Sequence, residues 1–331
     1  MRHPWILAGH LREFSKFRTQ DCLAMNHKPT VSVVIPCYNG APFLREALMS
    51  VLAQTHTVLE VIVVDDGSTD NSADVAASFG PPVRVIQQSN SGESAARNRG
   101  VRESQGDWIA FLDADDTWLP TRIEAQFADC SPNAVSMHCN LIFFGVENYT
   151  TRIEETPAAL RYSPAELCCR NWFHTPSATI VRRESCPSFP EQVRYGEDLL
   201  FFLDLVQAGP VSLCTEPLVR YRQHSYAQSF RAETRVGWFQ TIDAWLTQNR
   251  HQVTDDEAAS VRQYWLRHLA QFAWSLKDQR RWDDYWHVRR FLEGHRGLSE
   301  VDEVLSYRTY PRILYRLKDH VARLRGQRGE A

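Results

Sequence analysis

The sequence predicts an α/β protein with a doubly wound, mixed and mostly parallel sheet flanked by helices, followed by a C-terminal helical appendage. Apolar, β-branched runs without alternation are typical of strands buried on both faces of a parallel sheet. Helical patterns separate these runs, as right-handed β-α-β units require. Strand patterns cease after about residue 226. The four runs are VSVVIP (31–36), VLEVIVV (58–64), VRVI (83–86) and WIAFL (108–112).

The helices between the strands are predicted from apolar stripes and capping residues. Asp70 or Asn71 can cap the second helix, and the third covers roughly residues 93–104. The stripe of the first helix consists of Leu44, Ala47, Leu48, Val51 and Leu52. Further strands are expected at 134–144 and 177–182, and further helices at 196–209, 236–249, 256–279 and 282–293.

The length of the chain limits the number of domains that it can form. Its 331 residues suffice for one large domain and an appendage. We expect a tail at 1–28, an α/β domain at 29–225 and a helical region at 226–331. Residues 1–24 are either a loose tail or an upstream start before Met25.

Charge and cysteine usage exclude several classes of protein. The net charge of −3 argues against a nucleic-acid binder. Eight cysteines without a C-x-x-C pair predict reduced thiols and a cytoplasmic location. The N-terminal stretch has too many charges for a signal peptide, and no apolar run approaches the length of a membrane span.

Acidic residues follow two of the predicted strands. VVDDGSTD places Asp65 and Asp66 after the second strand, and FLDADDTWLP places Asp113 after the fourth. Ligands of open α/β sheets bind beyond the carboxyl ends of strands, and clustered carboxylates suit a hard divalent cation. The alternative is a solvated acidic turn. Asp107 is expected to be a solvated residue before the fourth strand.

Six motifs in register resemble the family 2 glycosyltransferases, which are inverting enzymes with the GT-A fold. The resemblance spans roughly residues 31–224. The motifs are VSVVIPCYNG, LREALMSVLAQT, EVIVVDDGSTDNS, NSGESAARNRG, GDWIAFLDADDTWLP and YGEDLLFFLDL.

The resemblance implies a binding site for the nucleoside of a nucleotide-sugar donor. Pro36, Tyr38 and Asn39 match positions that border the base and ribose in the family. Asp65 and Asp66 match acidic residues that contact the nucleoside through carboxylate hydrogen bonds.

The resemblance also implies a divalent cation, Mn²⁺ or Mg²⁺, bound at the D-x-D motif. Asp113 and Asp115 match this motif, with Asp115 as the expected direct ligand. Asp116 matches a supporting or substrate-contacting position. His224 can complete the metal shell or be a surface histidine. Arg97 has either a structural role or a contact with the donor.

The E-D motif implies the catalytic base. Asp198 is expected to take the proton of the acceptor hydroxyl, with Glu197 orienting or contacting the acceptor. The alternative is that both acids begin a helix, where acids are favoured by the helix dipole. Candidates for stacking on sugars are aromatic, and at least two of them are expected to be core residues: Trp118, Trp172, Phe173 and His174.

The last segment, residues 307–328, is predicted to be a basic amphipathic helix. It either contacts a membrane surface peripherally or packs on the protein. The sequence QRRW at 279–282 departs from the Q-x-x-R-W motif of processive family members, so we expect transfer of a single sugar.

These observations predict a metal-dependent inverting transferase that moves a hexosyl or N-acetylhexosaminyl group from a UDP-sugar to a hydroxyl acceptor. A lipid-linked or polysaccharide intermediate of cell-envelope synthesis would be such an acceptor. The alternatives are a nucleotide-sugar-binding module without turnover and a sugar nucleotidyltransferase. A binding module could dispense with Asp198. A sugar nucleotidyltransferase would need a Gly-rich basic loop where this chain has PCYNGAPF. A dehydrogenase is disfavoured because no G-x-G-x-x-G follows a strand.

Overall fold

A computed structural model describes residues 28–145, 149–150, 163–169, 173–223 and 231–307. Its strands form one mixed sheet, which confirms the predicted fold class. The strands are β1 (Val31–Cys37), β2 (Glu60–Asp65), β3 (Val83–Gln87), β4 (Trp108–Phe111), β5 (Thr117–Trp118), β6 (Ser136–Gly145), β7 (Tyr149–Thr150), β8 (Thr179–Arg182) and β9 (Val211–Gln223). Their order is β3-β2-β1-β4-β8-β6-β9-β5, and β7 pairs with β6.

The first four predicted strands form a parallel half-sheet. β1 pairs in parallel with β2 and β4, and β2 pairs in parallel with β3. β1, β2 and β4 are buried along their whole lengths, as continuous apolar runs predict. Their carboxyl ends therefore meet at one edge of the sheet.

The second half of the sheet is mixed. β8 is antiparallel to β4 and β6, β5 is antiparallel to β9, and β6 is parallel to β9. The 13-residue strand β9 was not predicted. Pro217 within it interrupts the apolar pattern that identifies a strand, and its pairing with β6 shifts register near Asn140.

The predicted helices within the described residues are present, while the predicted helix at 307–328 lies outside them except for Tyr307. Three short helices of six to eight residues were missed because they hardly exceed two turns. The missed helices are α4, α5 and α10. The full set is α1 (Ala41–Leu52), α2 (Ser72–Ala77), α3 (Glu93–Glu103), α4 (Arg122–Ala128), α5 (Pro164–Cys169), α6 (Glu197–Ala208), α7 (Ala232–Gln248), α8 (Asp255–Asp278), α9 (Trp282–Leu292) and α10 (Ser299–Ser306).

The core continues from the sheet into the helical region. One apolar cluster joins Phe111 of β4 and Phe201 of α6 to Ile242 and Leu246 of α7. A separate cluster joins α8, α9 and α10 around Tyr285. The two sides of the predicted division at residue 225 thus share a core, while the domain boundaries themselves stay a prediction. No helix in the described ranges is long and apolar enough to cross a membrane.

Three local expectations are refined by the fold. Leu52 is 42% exposed, because it lies at the edge of the stripe at the end of α1. Asp107 is not simply solvated, since its carboxylate accepts hydrogen bonds from the amide and hydroxyl of Thr30. Asn71 is the N-cap residue of α2 and makes no side-chain cap bond, while the Asp70 carboxylate accepts the amide proton of Ser72 at 3.0 Å.

Candidate active site

The loop after β1 presents one side chain to solvent and uses another for structure. Tyr38 is 54% exposed, whereas Pro36 is buried within β1. Asn39 has a positive φ of 52°, and its side-chain oxygen accepts the amide protons of Thr69 at 2.8 Å and Asp70 at 3.3 Å. Of the three predicted neighbours of the nucleoside, Tyr38 and Asn39 are therefore exposed, and Pro36 is buried.

The two acids after β2 are buried and hydrogen-bonded within the chain. Asp65 and Asp66 are each 3% exposed. The carboxylate of Asp66 accepts the amide protons of Ser91 and Gly92, each at 2.8 Å, and a third bond from Gln88. Asp66 thereby fixes the loop that leads into α3, a task that the sequence did not predict for it.

The acid that follows β4 is held in one orientation. One oxygen of Asp113 accepts a hydrogen bond from Arg97 at 2.8 Å, and the other accepts one from the Thr175 hydroxyl at 3.0 Å. The Asp113 amide donates to the Ser177 hydroxyl at 3.0 Å. The segment before β8 thus positions the start of the D-x-D motif.

The next two acids of the motif occupy different environments. Asp115 is half-buried, and its carbonyl oxygen accepts a hydrogen bond from the Arg222 side chain at 2.9 Å. Asp116 is fully buried and accepts the Arg222 amide proton at 2.9 Å. Burial, followed by repulsion from Asp115 and Asp113, raises the pKa of Asp116 well above its ordinary value. Asp116 therefore supports the loop from the protein interior, through its hydrogen bond with the Arg222 amide.

The predicted catalytic pair lies at the first turn of α6. Gly196 precedes it with a φ of 81°, a left-handed conformation that favours glycine. Asp198 accepts a hydrogen bond from Arg97 at 3.1 Å. Because Arg97 also binds Asp113, one guanidinium links the predicted metal motif to the predicted base.

Arg97 is the centre of the site. It is 1% exposed and binds Glu93, Asp113 and Asp198, and its guanidinium carbon lies 5.0 Å from the Phe189 ring centroid. Its role is therefore structural, while a contact with the donor stays a prediction. Glu93 was not predicted as a site residue. Its spacing of four residues from Arg97 on one helix was the available signal.

Asp198 and Glu197 hold protons more strongly than ordinary carboxyl groups. Desolvation raises the pKa of Asp198 to about 8, opposed by Arg97 and reinforced by Glu197 and Asp113. Desolvation and the nearby charge of Glu93 raise the pKa of Glu197 to about 7. Such raised values cluster at functional sites, although ion-pair networks also produce them.

The raised pKa values predict that stability falls as the pH rises from about 4 to about 8. In this window the folded protein keeps protons on Asp198 and Glu197 that the unfolded chain has lost, so ionisation opposes folding. We expect Tm to fall by roughly 5 °C between pH 5 and pH 8. Differential scanning fluorimetry of wild type and Asp198→Asn measures this slope, which the substitution should flatten. An Asp278→Asn control should leave the slope unchanged, and an equal slope in Asp198→Asn would contradict the assignment.

The residues at the D-x-D motif fit a cation that is held by few protein ligands. No group of three His, Cys, Asp or Glu side chains in the described part of the chain is arranged to hold a metal. Mg²⁺ and similar ions are often bound by one or two carboxylates together with substrate phosphates. Both oxygens of Asp113 already accept hydrogen bonds, and Asp115 stays the predicted direct ligand. His224, the third predicted ligand, lies outside the described residues.

Two of the four aromatic candidates for sugar stacking are core residues. Trp118 is 3% exposed and donates its indole proton to the Ser177 carbonyl at 3.0 Å. Phe173 is 1% exposed and packs on His138, with ring centroids 4.1 Å apart. Both are core residues, as expected for at least two of the four. His174 is half-buried with a positive φ, and Trp172 lies outside the described residues.

Comparisons of sequence place the chain among known transferases. Residues 32–187 match the family described as glycosyl transferase family 2. An uncharacterized glycosyltransferase of Haemophilus influenzae is 32% identical over 186 residues, 54% of this chain and 72% of that protein. The uncharacterized glycosyltransferase YibD of Escherichia coli is 45% identical over 103 residues, 30% of each chain. The chain matches 22% of the length of an uncharacterized glycosyltransferase of Rickettsia felis.

Solved structures share the fold at low sequence identity. TarS of S. aureus, residues 1–349, in complex with UDP-GlcNAc has a TM-score of 0.61 at 17% identity, covering 83% of each chain. The mannosyltransferase PcManGT from Pyrobaculum calidifontis, in complex with GDP-Man and Mn²⁺, has a TM-score of 0.51 at 17% identity. That match covers 87% of this chain and 81% of PcManGT. These likenesses confirm the predicted GT-A fold.

Proposed function

Because the chain belongs to glycosyl transferase family 2, we propose that it transfers one hexosyl or N-acetylhexosaminyl group from a UDP-sugar to a hydroxyl acceptor. The transfer is a single displacement with inversion at the anomeric carbon. The carrying observation is that Arg97 binds Asp113 on one side and Asp198 on the other. One guanidinium thus holds the donor-side acid and the candidate base next to each other.

The chain's own residues have separate tasks in this reaction. Tyr38 offers an exposed ring at the edge of the sheet for the nucleoside base, and Asp65 lies beside it at the end of β2. Asp115, with Asp113, would hold Mn²⁺ or Mg²⁺, which neutralises negative charge on the diphosphate leaving group when bound. The family's nucleotide-sugar chemistry supports this division, and PcManGT is a Mn²⁺ complex.

Asp198 takes the proton of the acceptor hydroxyl while that oxygen attacks the anomeric carbon. A carboxylate with a raised pKa is a stronger base than an ordinary one, but only its ionised form accepts a proton. The positive charge of Arg97 favours that form. Glu197, next to Asp198 on α6, is placed to orient the acceptor.

The choice of donor is tested by a thermal-shift panel of nucleotide sugars with manganese. We expect UDP-sugars plus Mn²⁺ to raise Tm, and EDTA to abolish the increase, since ligands that bind only the folded state stabilise it. Release of UDP with formation of a glycosylated product separates a transferase from a binding module. Stabilisation by GDP-sugars alone would contradict the choice of UDP.

Asp115→Ala should abolish the metal-dependent stabilisation by UDP. The substitution removes the carboxylate that best fits a direct metal ligand, while the hydrogen bond from Arg222 to the Asp115 carbonyl can persist. Isothermal titration with UDP and Mn²⁺ should show at least about tenfold weaker binding. Asp278→Ala, at a 74% exposed side chain, is the matched control. Unchanged affinity of Asp115→Ala would remove this residue from the metal site.

The proposed transferase adds a single sugar and works in the cytoplasm, with a lipid-linked or polysaccharide intermediate of the cell envelope as acceptor. The QRRW segment lies at the junction of α8 and α9, where Trp282 begins α9. Peripheral membrane contact through residues 307–328 stays a prediction, because 308–328 lie outside the described residues.

A further inference from the structure

A pocket of about 330 Å³ adjoins the carboxylate cluster on the side of α7. Glu93 and Glu197 line it together with the segment 191–195 and residues Arg231 and Thr234 at the start of α7. Its volume lies in the range of about 300–1,000 Å³ that small-molecule sites occupy. None of its lining residues except Glu197 belongs to the predicted site.

The side of this pocket at α7 carries Arg194 and Arg231, whereas three glutamates line the rest of it: Glu93, Glu191 and Glu197. Arg194 is 77% exposed, and its guanidinium lies 3.8 Å from the carboxylate of Glu233, which is itself 57% exposed. That distance is too long for a hydrogen bond. Arg231 is exposed and has no ion pair with another described residue.

The first turn of α7 adds hydrogen-bond donors at the same place. Thr234 is 4% exposed, and its hydroxyl has no hydrogen-bond partner among the described residues. The side chain of Arg231, which precedes the helix, does not cap it. The first amide groups of this 17-residue helix and its dipole therefore favour a negative charge.

The segment that carries these groups is fixed to α7. The Thr241 hydroxyl donates to the Tyr195 carbonyl at 2.7 Å. The Tyr195 ring lies against the helix at Gly237, where any Cβ atom would come within 2.2 Å of the ring. Since Gly196 and Glu197 follow directly, α7 positions both the base motif and the positive side of the pocket.

We propose that the pocket binds an acceptor that carries an anionic group, a phosphate or a carboxylate, at Arg194, Arg231 and Thr234. The accepting hydroxyl of the same molecule then lies toward Glu197 and Asp198. This inference rests on the proposed function and deepens it by defining the acceptor class as an acidic sugar or glycan. It also makes the helical region part of the acceptor site.

The test uses the full-length protein and three probes, glucose 6-phosphate, glucuronate and uncharged glucose. Saturation-transfer NMR or calorimetry measures the binding of each probe. At least one of the two anionic sugars should bind at least about tenfold more tightly than glucose, because charge-assisted hydrogen bonds are stronger than neutral ones. A preference for glucose 6-phosphate identifies a phosphate subsite, and a preference for glucuronate identifies a carboxylate subsite. Equal binding of all three probes, or no binding of either anionic sugar, would overturn the proposal.

Variants separate this pocket from other basic surfaces. Arg231→Gln and Thr234→Val should remove the preference for the anionic sugar, and Arg250→Gln, at an exposed arginine elsewhere, should keep it. A preference that survives Arg231→Gln and Thr234→Val would also overturn the assignment. Stabilisation by UDP and Mn²⁺ is measured in the same variants and should not change. In wild type, absence of an anion preference with intact donor binding refutes only the acceptor subsite, whereas absence of donor binding refutes the proposed function.

Discussion

Asp198→Asn should fold normally, bind UDP-sugar and metal as wild type does, and lose transfer by about 10²–10⁴-fold. The asparagine oxygen can still accept the hydrogen bond from Arg97 that Asp198 accepts at 3.1 Å. Because the pKa of Asp198 is raised to about 8, the neutral amide also resembles the protonated acid that prevails near pH 7. The variant therefore removes the base with little disturbance of the fold.

The measurement is product formation at saturating donor, paired with the thermal shift produced by UDP and Mn²⁺. Asp204→Asn is a suitable control, because it makes the same chemical change at an exposed position of the same helix. Full turnover by Asp198→Asn would show that another group is the base. In wild type, kcat/KM should rise with pH along an acidic limb whose apparent pKa lies well above that of an ordinary carboxyl group.

Substitution of Arg97 should affect both stability and catalysis. Arg97→Met leaves Glu93, Asp113 and Asp198 without their shared cation, and breaking buried charge pairs costs about 3–5 kcal/mol. The loss should be larger at pH 8 than at pH 5, because protonation relieves the repulsion among the carboxylates. Chemical denaturation at the two pH values measures the difference. Equal losses at both would contradict this electrostatic role.

Arg97→Lys distinguishes the geometry of the guanidinium from its charge. A lysine keeps the positive charge but cannot bridge three carboxylates with a planar fork. We expect stability between those of wild type and Arg97→Met, and transfer reduced about hundredfold, because small displacements of catalytic groups are costly. Arg99→Lys on the same helix, at a 45% exposed side chain, is the matched control. Wild-type turnover by Arg97→Lys would show that charge alone is sufficient.

The parallel half-sheet could be predicted from sequence because its strands are short, mainly apolar and β-branched runs separated by helical patterns. Because β2 and β4 end at the same edge of the sheet, the sequence also predicted that Asp65 and Asp113 lie there. The β9 strand could not be predicted in the same way. Its pattern is interrupted by Pro217, and its place beside β6 depends on contacts between segments distant in sequence.

The acidic residues of the site could be predicted from the sequence, but the contacts that connect them could not. Motif spacing identified Asp113 and Asp198, but their link through Arg97 depends on how α3, β4 and α6 meet in space. The same holds for Asp66, whose carboxylate binds the loop before α3, and for Asp116, which is buried under its neighbours. Such contacts cannot be predicted from the sequence, because each joins residues from helices, strands or loops that are far apart in the chain.

The packing of Tyr195 on α7 limits which helices can be exchanged between related enzymes. A chimaera that joins this α/β domain to the helices of a relative must preserve a glycine at position 237 and a hydroxyl at 241, since both touch the segment before the base. Without them the foreign helix would displace Tyr195 and tilt the first turn of α6. Exchange of acceptor preference between relatives is therefore expected to require transfer of residues 191–197 together with α7, as one inherited unit.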